Sequence, residues 1–184
     1  MADSVERDAR AGGQELRRIV YTAQVIGARV REMGREITSA YPASEPLLVL
    51  GLLKGSFIFL ADLVREIERP LHVDFVVASS YGAGTVSSGD VRLLYDPEAE
   101  LAGQHVILVE DIIDSGNTIN RLIPLLEERG PKSLELCALL DKKIAPNLVK
   151  QPRWLGFEAP GEFLIGYGLD HSENFRNLPF IASL

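Results

Sequence analysis

Val106-Ile107-Leu108-Val109-Glu110-Asp111-Ile112-Ile113-Asp114-Ser115-Gly116-Asn117-Thr118 is the stretch that decides the fold of this 184-residue chain. Four apolar residues run into two adjacent carboxylates, two isoleucines, a third carboxylate and a turn of small polar residues. Such a run reads as a buried parallel strand that ends in a loop opening a helix. In open α/β sheets, ligands bind outside the carboxyl ends of the strands. The acids and the turn therefore stand where a substrate would.

The turn suits an anion. Gly116 gives the backbone freedom, so several N–H groups can converge on one centre. Ser115 and Thr118 add hydroxyls, Asn117 is small, and the following helix adds the positive end of its dipole. Glu110 and Asp111 do not belong on a phosphate. They suit sugar hydroxyls or a hard cation such as Mg²⁺. Asp114, between the two zones and beside the turn, is placed to accept a proton from a reacting group.

Working outward, the chain is long enough for one domain with a full core, and 46% hydrophobic and 24% charged residues are ordinary for a globular protein. A net charge of −7 with scattered Lys and Arg gives no nucleic-acid footprint. A phosphate-handling protein this acidic must gather its few cations locally. Cys137 is the only cysteine, which excludes an internal disulfide, and its apolar surroundings suggest a core thiol. Met1 to Arg10 lacks the apolar stretch of a secretory signal, and Leu47 to Leu53 is too short to span a bilayer. These features lead us to expect a soluble, cytoplasmic protein with no membrane contact.

Helical spacing of Ile19, Val20, Ala23, Ile26, Val30, Met33 and Ile37 predicts a helix from about Gln14 to Ser39, closed by Tyr41-Pro42. Strands are expected at Leu47 to Leu52, His72 to Ser79, the signature run, Leu134 to Leu140 and Phe163 to Gly168, with an edge strand at Val91 to Leu94. Helices are expected at Phe57 to Ile67 and after Thr118, where Pro124 is a potential bend. Residues 80–100 lack periodicity, and so long a loop in a compact domain is usually functional. The alternation predicts an α/β fold: a mainly parallel twisted sheet with helices on both faces. Residues 1–184 form a single domain in this reading. Its core is at about 45–145, its small hood at about 1–42 and 150–184, and its mobile lid loop at about 80–100.

Other residues stand at strand ends. Lys54-Gly55 turns the chain after a buried strand and reads either as an ordinary surface lysine at a strand–helix turn or as a diphosphate loop, with N–H groups exposed where Gly55 leaves room. Asp141-Lys142-Lys143 brings a cation to a strand end, where it is either solvated or able to donate to an exocyclic oxygen of a heterocycle. His72, His105 and His171 show no metal-ligand spacing.

The Glu110 to Gly116 run resembles the phosphoribosyl-pyrophosphate (PRPP) signature of type I phosphoribosyltransferases, in particular the hypoxanthine-guanine phosphoribosyltransferases. The resemblance extends from about Leu47 to Arg176. It implies that Glu110 and Asp111 hold the ribose hydroxyls and the metal. Asp114 serves as the catalytic residue, and Asp114 to Thr118 bind the 5′-phosphate. Lys54 and Gly55 would take the diphosphate behind a cis Leu53–Lys54 peptide, with Arg176 as a second clamp and Asp170 as a ligand of a second Mg²⁺. Lys142, or Lys143 with one residue of slippage, would meet the 6-oxo group of the purine. Trp154 would stack on the base, with Leu155 offering main-chain contacts and Ile112 covering the opposite face. Ser80 and Tyr81 would close as a lid. The implied activity is purine salvage: PRPP plus hypoxanthine or guanine gives the monophosphate plus diphosphate, with Mg²⁺ as cofactor. The partners are these small molecules alone, without nucleic acid, in a homodimer or homotetramer.

Three other readings are weighed beside it. The same fold could act on xanthine, adenine or a pyrimidine, but Lys142 with Trp154 favours a 6-oxopurine. A PRPP-sensing regulator would want a DNA-binding module or a basic face. A phosphatase with an Asp nucleophile would want Asp-x-Asp-x-Thr, whereas Asp111 and Asp114 are three apart.

Overall fold

A computed structural model describes residues 8–80 and 91–184. A six-stranded sheet runs in the order β4-β3-β2-β5-β6-β7, with β2 at Leu47–Leu53, β3 at His72–Ser80, β4 at Val91–Tyr95, β5 at His105–Ile113, β6 at Ser133–Asp141 and β7 at Pro152–Glu158. All neighbours are parallel except the β3–β4 pair at one edge. A second sheet, β1-β9-β8, joins Arg18–Tyr21, Ile181–Ser183 and Leu164–Ile165.

The central strands are apolar on both faces because helices cover both faces. Leu47 and Val49 of β2, with Ile107 and Val109 of β5, pack with helix α1 (Ala23–Ala40) and helix α2 (Phe57–Glu66). The alternate residues Leu48, Leu50, Val106 and Leu108 pack with helix α3 (Asn117–Glu127). Period-two alternation thus feeds two cores from one strand. Leu50 is fully buried, and Leu50→Ala would cost about 2–5 kcal/mol. Pro124 lies inside α3 with its residue exposed, so the helix continues through it, and the Glu128 N–H still reaches the Pro124 carbonyl at 3.0 Å.

The expected mainly parallel sheet covered on both faces is present, but the hood is smaller than expected. The helix expected from Gln14 starts at Ala23, where Thr22 caps it by accepting the Val25 N–H at 3.3 Å. The preceding Arg18–Tyr21 is a strand because it pairs antiparallel with Ile181–Ser183, a long-range partner that helical periodicity cannot report. The α1 helix covers the main sheet, and Pro152–Glu158 is its edge strand β7. What remains of the hood is β1, β8, β9 and a small core of Ala11, Leu16, Ile165, Phe175, Leu178 and Ala182.

Strand order also fixes where a ligand would sit. From β2 the chain passes through α2 to β3 on one side. From β5, on the other side of β2, it passes through α3 to β6. The carboxyl ends of β2 and β5 therefore flank the topological switch point.

Candidate functional site

The β5 strand delivers the three acids. Glu110 is buried at 7% exposure, and its Oε1 accepts the Asp111 N–H at 3.0 Å. Burial, and then the neighbouring Asp111 charge, push the Glu110 carboxyl well above the ordinary carboxylate range. Asp111 Oδ1 accepts the Ile112 N–H at 2.7 Å. Its other oxygen lies against Gly55: a Cβ on Gly55 would stand 1.5 Å from Asp111 Oδ2. Only glycine permits this approach, and it joins the β2 turn to the acids of β5.

Beyond Ile113 the chain turns through Asp114, Ser115 and Gly116, whose φ of 77° is the left-handed conformation that glycine adopts cheaply. Helix α3 begins at Asn117, and no side chain caps it. The first N–H groups of a helix have no partner within it. Here they face a cavity of about 80 Å³ lined by Glu110, Ile112, Ile113, Asp114, Ser115, Gly116, Asn117, Thr118 and Ile119. The arrangement is an anion cradle made of backbone.

The Lys54-Gly55-Ser56 turn opens α2 with the same economy. The Leu53–Lys54 peptide is cis. The Ser56 hydroxyl donates back to the Leu52 carbonyl at 2.7 Å rather than capping the helix. Gly168 rests on this turn, since a Cβ there would stand 2.1 Å from the Gly55 carbonyl oxygen. From Gly168 a tight hairpin carries Asp170 and Arg176. Arg176 Nη1 donates to the Gly168 carbonyl at 2.8 Å, and its Nη2 lies 2.8 Å from Asp170 Oδ1. Lys54, Asp170 and Arg176 are thus brought together at the end of β2.

Of the two candidate lysines, Lys142 pairs with Asp114, which lines the cavity. Its Nζ lies 3.1 Å from Asp114 Oδ2, and its backbone N–H donates to the Ile113 carbonyl. Lys143 turns away through a φ of 56°, and its Nζ lies 2.8 Å from Asp141 Oδ2. Ile112 lines the cavity, level with Leu140 on β6 and Phe157 on β7.

Two expectations are corrected. Trp154 is 4% exposed and sits in the core near Tyr41 (ring centroids 6.1 Å apart), with the Arg153 guanidinium 4.8 Å from its ring centroid. It pairs with Cys137, four residues short of the end of β7, about 13 Å below the edge where a base would lie. It is not available for stacking. Leu155 is likewise committed, because its carbonyl accepts two N–H groups of Arg29, at 2.8 and 3.2 Å. Sequence reasoning missed Phe163, an exposed aromatic just before β8 whose ring meets His171 edge-on at 5.4 Å, next to Asp170. The signal was there: a large aromatic after the Pro-Gly turn of Ala159 to Glu162, where nothing buries it.

Ser80 is the last residue of β3, paired with Val91 on the edge strand. Tyr81 lies outside the described residues. Among the described residues no three His, Cys, Asp or Glu side chains converge as a metal cage. The hard oxygens of Glu110, Asp111 and Asp170 nonetheless fit a Mg²⁺ that keeps its waters and arrives with phosphate oxygens, the usual habit of that ion. Among those residues no helix is long and apolar enough to cross a membrane.

The comparisons with known proteins agree with this geometry. The chain is 46% identical over 160 residues to a hypoxanthine phosphoribosyltransferase of Salmonella typhimurium, a match covering 86% of this chain and 90% of that protein. A solved structure of a hypoxanthine-guanine phosphoribosyltransferase from Bacillus anthracis superposes with a TM-score of 0.86 at 40% identity, covering 92% of this chain and 99% of that one. The chain is also 42% identical over 170 residues to a bifunctional TilS/HprT protein of Listeria innocua, of which it spans about a quarter (26%) of the length. The phosphoribosyl transferase domain family matches residues 18–172, so the chain belongs to that family.

Proposed function

We propose that this chain is a cytoplasmic enzyme of purine salvage that transfers the phosphoribosyl group of PRPP to hypoxanthine or guanine, releasing diphosphate. The observation that carries the reading is the meeting, at one switch point, of an uncapped α3 start and the Lys54–Gly55 turn against Asp111. PRPP carries a phosphate at one end and a diphosphate at the other, and these two backbone cradles match that pattern. Cations gather here in a chain of net charge −7, with Lys54 and Lys142 just past the ends of β2 and β6 and Arg176 on the hairpin that rests on the β2 turn.

In this reading Ser115 to Thr118 hold the 5′-phosphate, and Glu110 and Asp111 take the ribose hydroxyls. Lys54, the Gly55 backbone and Arg176 receive the diphosphate. Mg²⁺, held through Glu110, Asp111 and Asp170 together with diphosphate oxygens, would supply neutralisation of the leaving charge. Lys142 donates to the 6-oxo oxygen, Ile112 covers one face of the base, and Phe163 replaces Trp154 as the stacking aromatic. Asp114 accepts or shares the N7 proton as N9 attacks C1′. Ser80 and Tyr81 remain proposed as a lid that excludes water from the charged sugar. A homodimer or homotetramer belongs to the same proposal, and light scattering checks it.

Ultraviolet assays with PRPP, Mg²⁺ and hypoxanthine, guanine, xanthine, adenine or orotate test the reading. Turnover of hypoxanthine or guanine is expected, and turnover of adenine or orotate alone would overturn it. Lys142→Ala should raise the purine KM at unchanged PRPP KM, whereas Lys143→Ala should leave both near wild type.

A further inference from the structure

One carboxylate occupies both cations that the proposed reaction needs for its diphosphate. Glu173 Oε1 lies 3.1 Å from Lys54 Nζ, and Glu173 Oε2 lies 3.2 Å from Arg176 Nη2. Lys54 comes from the β2 turn and Arg176 from the hood hairpin, so this single side chain ties the two segments together. The backbone beneath it is fixed. Ser172 and Glu173 turn through φ of 53° and 64°, the Glu173 N–H donates to Asp170 Oδ2 at 2.8 Å, and His171 and Asn174 exchange both backbone hydrogen bonds. The side chain above is free to move, being 67% exposed. The arginine it holds is incompletely satisfied: its Nε is buried and has no partner among the described residues.

Exposed ion pairs are weak, whereas a multiply charged diphosphate takes an arginine fork through paired, charge-assisted bonds. The carboxylate therefore loses to the diphosphate, but part of the diphosphate's binding is used to displace it. On the reading of function given above, we propose that Glu173 is a positioning residue. It gathers Lys54 and Arg176 before PRPP arrives and yields them to the diphosphate, which weakens the hold on PRPP and hastens diphosphate release.

The test compares Glu173→Gln, Glu173→Asp and wild type by titration calorimetry with Mg²⁺-diphosphate and by steady-state kinetics. Glu68→Gln, at the opposite end of β3, serves as a control with the same loss of charge. Glu173→Gln should bind diphosphate about two- to tenfold tighter, as the loss of two exposed pairs allows. Its PRPP KM should fall with it, at an unchanged purine KM and with slower diphosphate release. Glu173→Asp should return these values towards wild type, and Glu68→Gln should leave them unmoved. Unchanged or weaker diphosphate binding in Glu173→Gln, beside normal binding in wild type, overturns this proposal and spares the proposed function. Wild type that binds no diphosphate overturns both.

Discussion

The starts of helices α1 and α3 are built in opposite ways. At α1, Thr22 folds its hydroxyl onto the Val25 N–H. At α3, Gly116 stands in the left-handed conformation and no side chain covers the first turn. The α2 helix follows α3, since Ser56 turns its hydroxyl back to the Leu52 carbonyl. A cap stabilises a helix by about 1 kcal/mol. The α1 start stands beside the edge strand β7, where the Tyr21 hydroxyl donates to the Glu158 carbonyl at 2.6 Å, away from the switch point, and keeps its cap. The α2 and α3 starts meet the carboxyl ends of β2 and β5 and carry no side-chain cap. The difference separates a helix end capped by its own side chain from helix ends left uncapped where the proposed ligand would lie.

Four substitutions press on that difference, from the largest effect to the smallest. Asp114→Asn, just before the α3 start, should lower kcat by roughly 10²–10⁴-fold with PRPP binding little changed. Equal turnover would remove Asp114 from the chemistry. Gly55→Ala, just before the α2 start, must displace Asp111. Misplacement on the ångström scale costs about 10²-fold, which should appear in kcat/KM for PRPP.

Glu110→Gln tests the acid beside these starts. A carboxyl raised in the folded state binds its proton more tightly there than when unfolded. Its contribution to stability is therefore complete at low pH and is lost as pH rises from the ordinary carboxylate range through the raised value. Glutamine carries no such penalty. The variant's melting temperature should exceed wild type at pH 8, and the two should converge towards pH 4. Each pKa unit corresponds to about 1.4 kcal/mol, or about 3–6 °C in a domain of this size. Thr22→Ala, at the capped α1 start, should lower stability by about 1 kcal/mol in denaturant melts and leave the kinetics alone. A kinetic loss there would blur the distinction between the two kinds of helix start.

Much of the fold was legible because its central strands are unusually plain. Leu47 to Leu52 and Val106 to Val109 are apolar without interruption, as only strands covered on both faces are. The Asp114 to Thr118 turn announced itself through residue types that a phosphate cradle needs. Phe157 and Trp154 lie three residues apart on β7, yet only Phe157 is level with Ile112. The register of an edge strand is set by its neighbour, so the sequence alone could not tell that Trp154 lies deep in the sheet while Phe157 lies near its carboxyl edge. The hood strand Arg18–Tyr21 was misread for the same reason, since its partner lies at the other end of the chain.

The sequence by itself determined the parallel core, the acid-rich strand end and the small-residue turn, because burial, backbone freedom and hydrogen-bonding capacity are properties of single residues and short spacings. Tertiary structure alone decided that Gly55 lies against Asp111, that Lys142 rather than Lys143 pairs with Asp114, and that Glu173 bridges Lys54 and Arg176. These are meetings of segments up to about 120 residues apart. They depend on strand order and register, which no local pattern encodes.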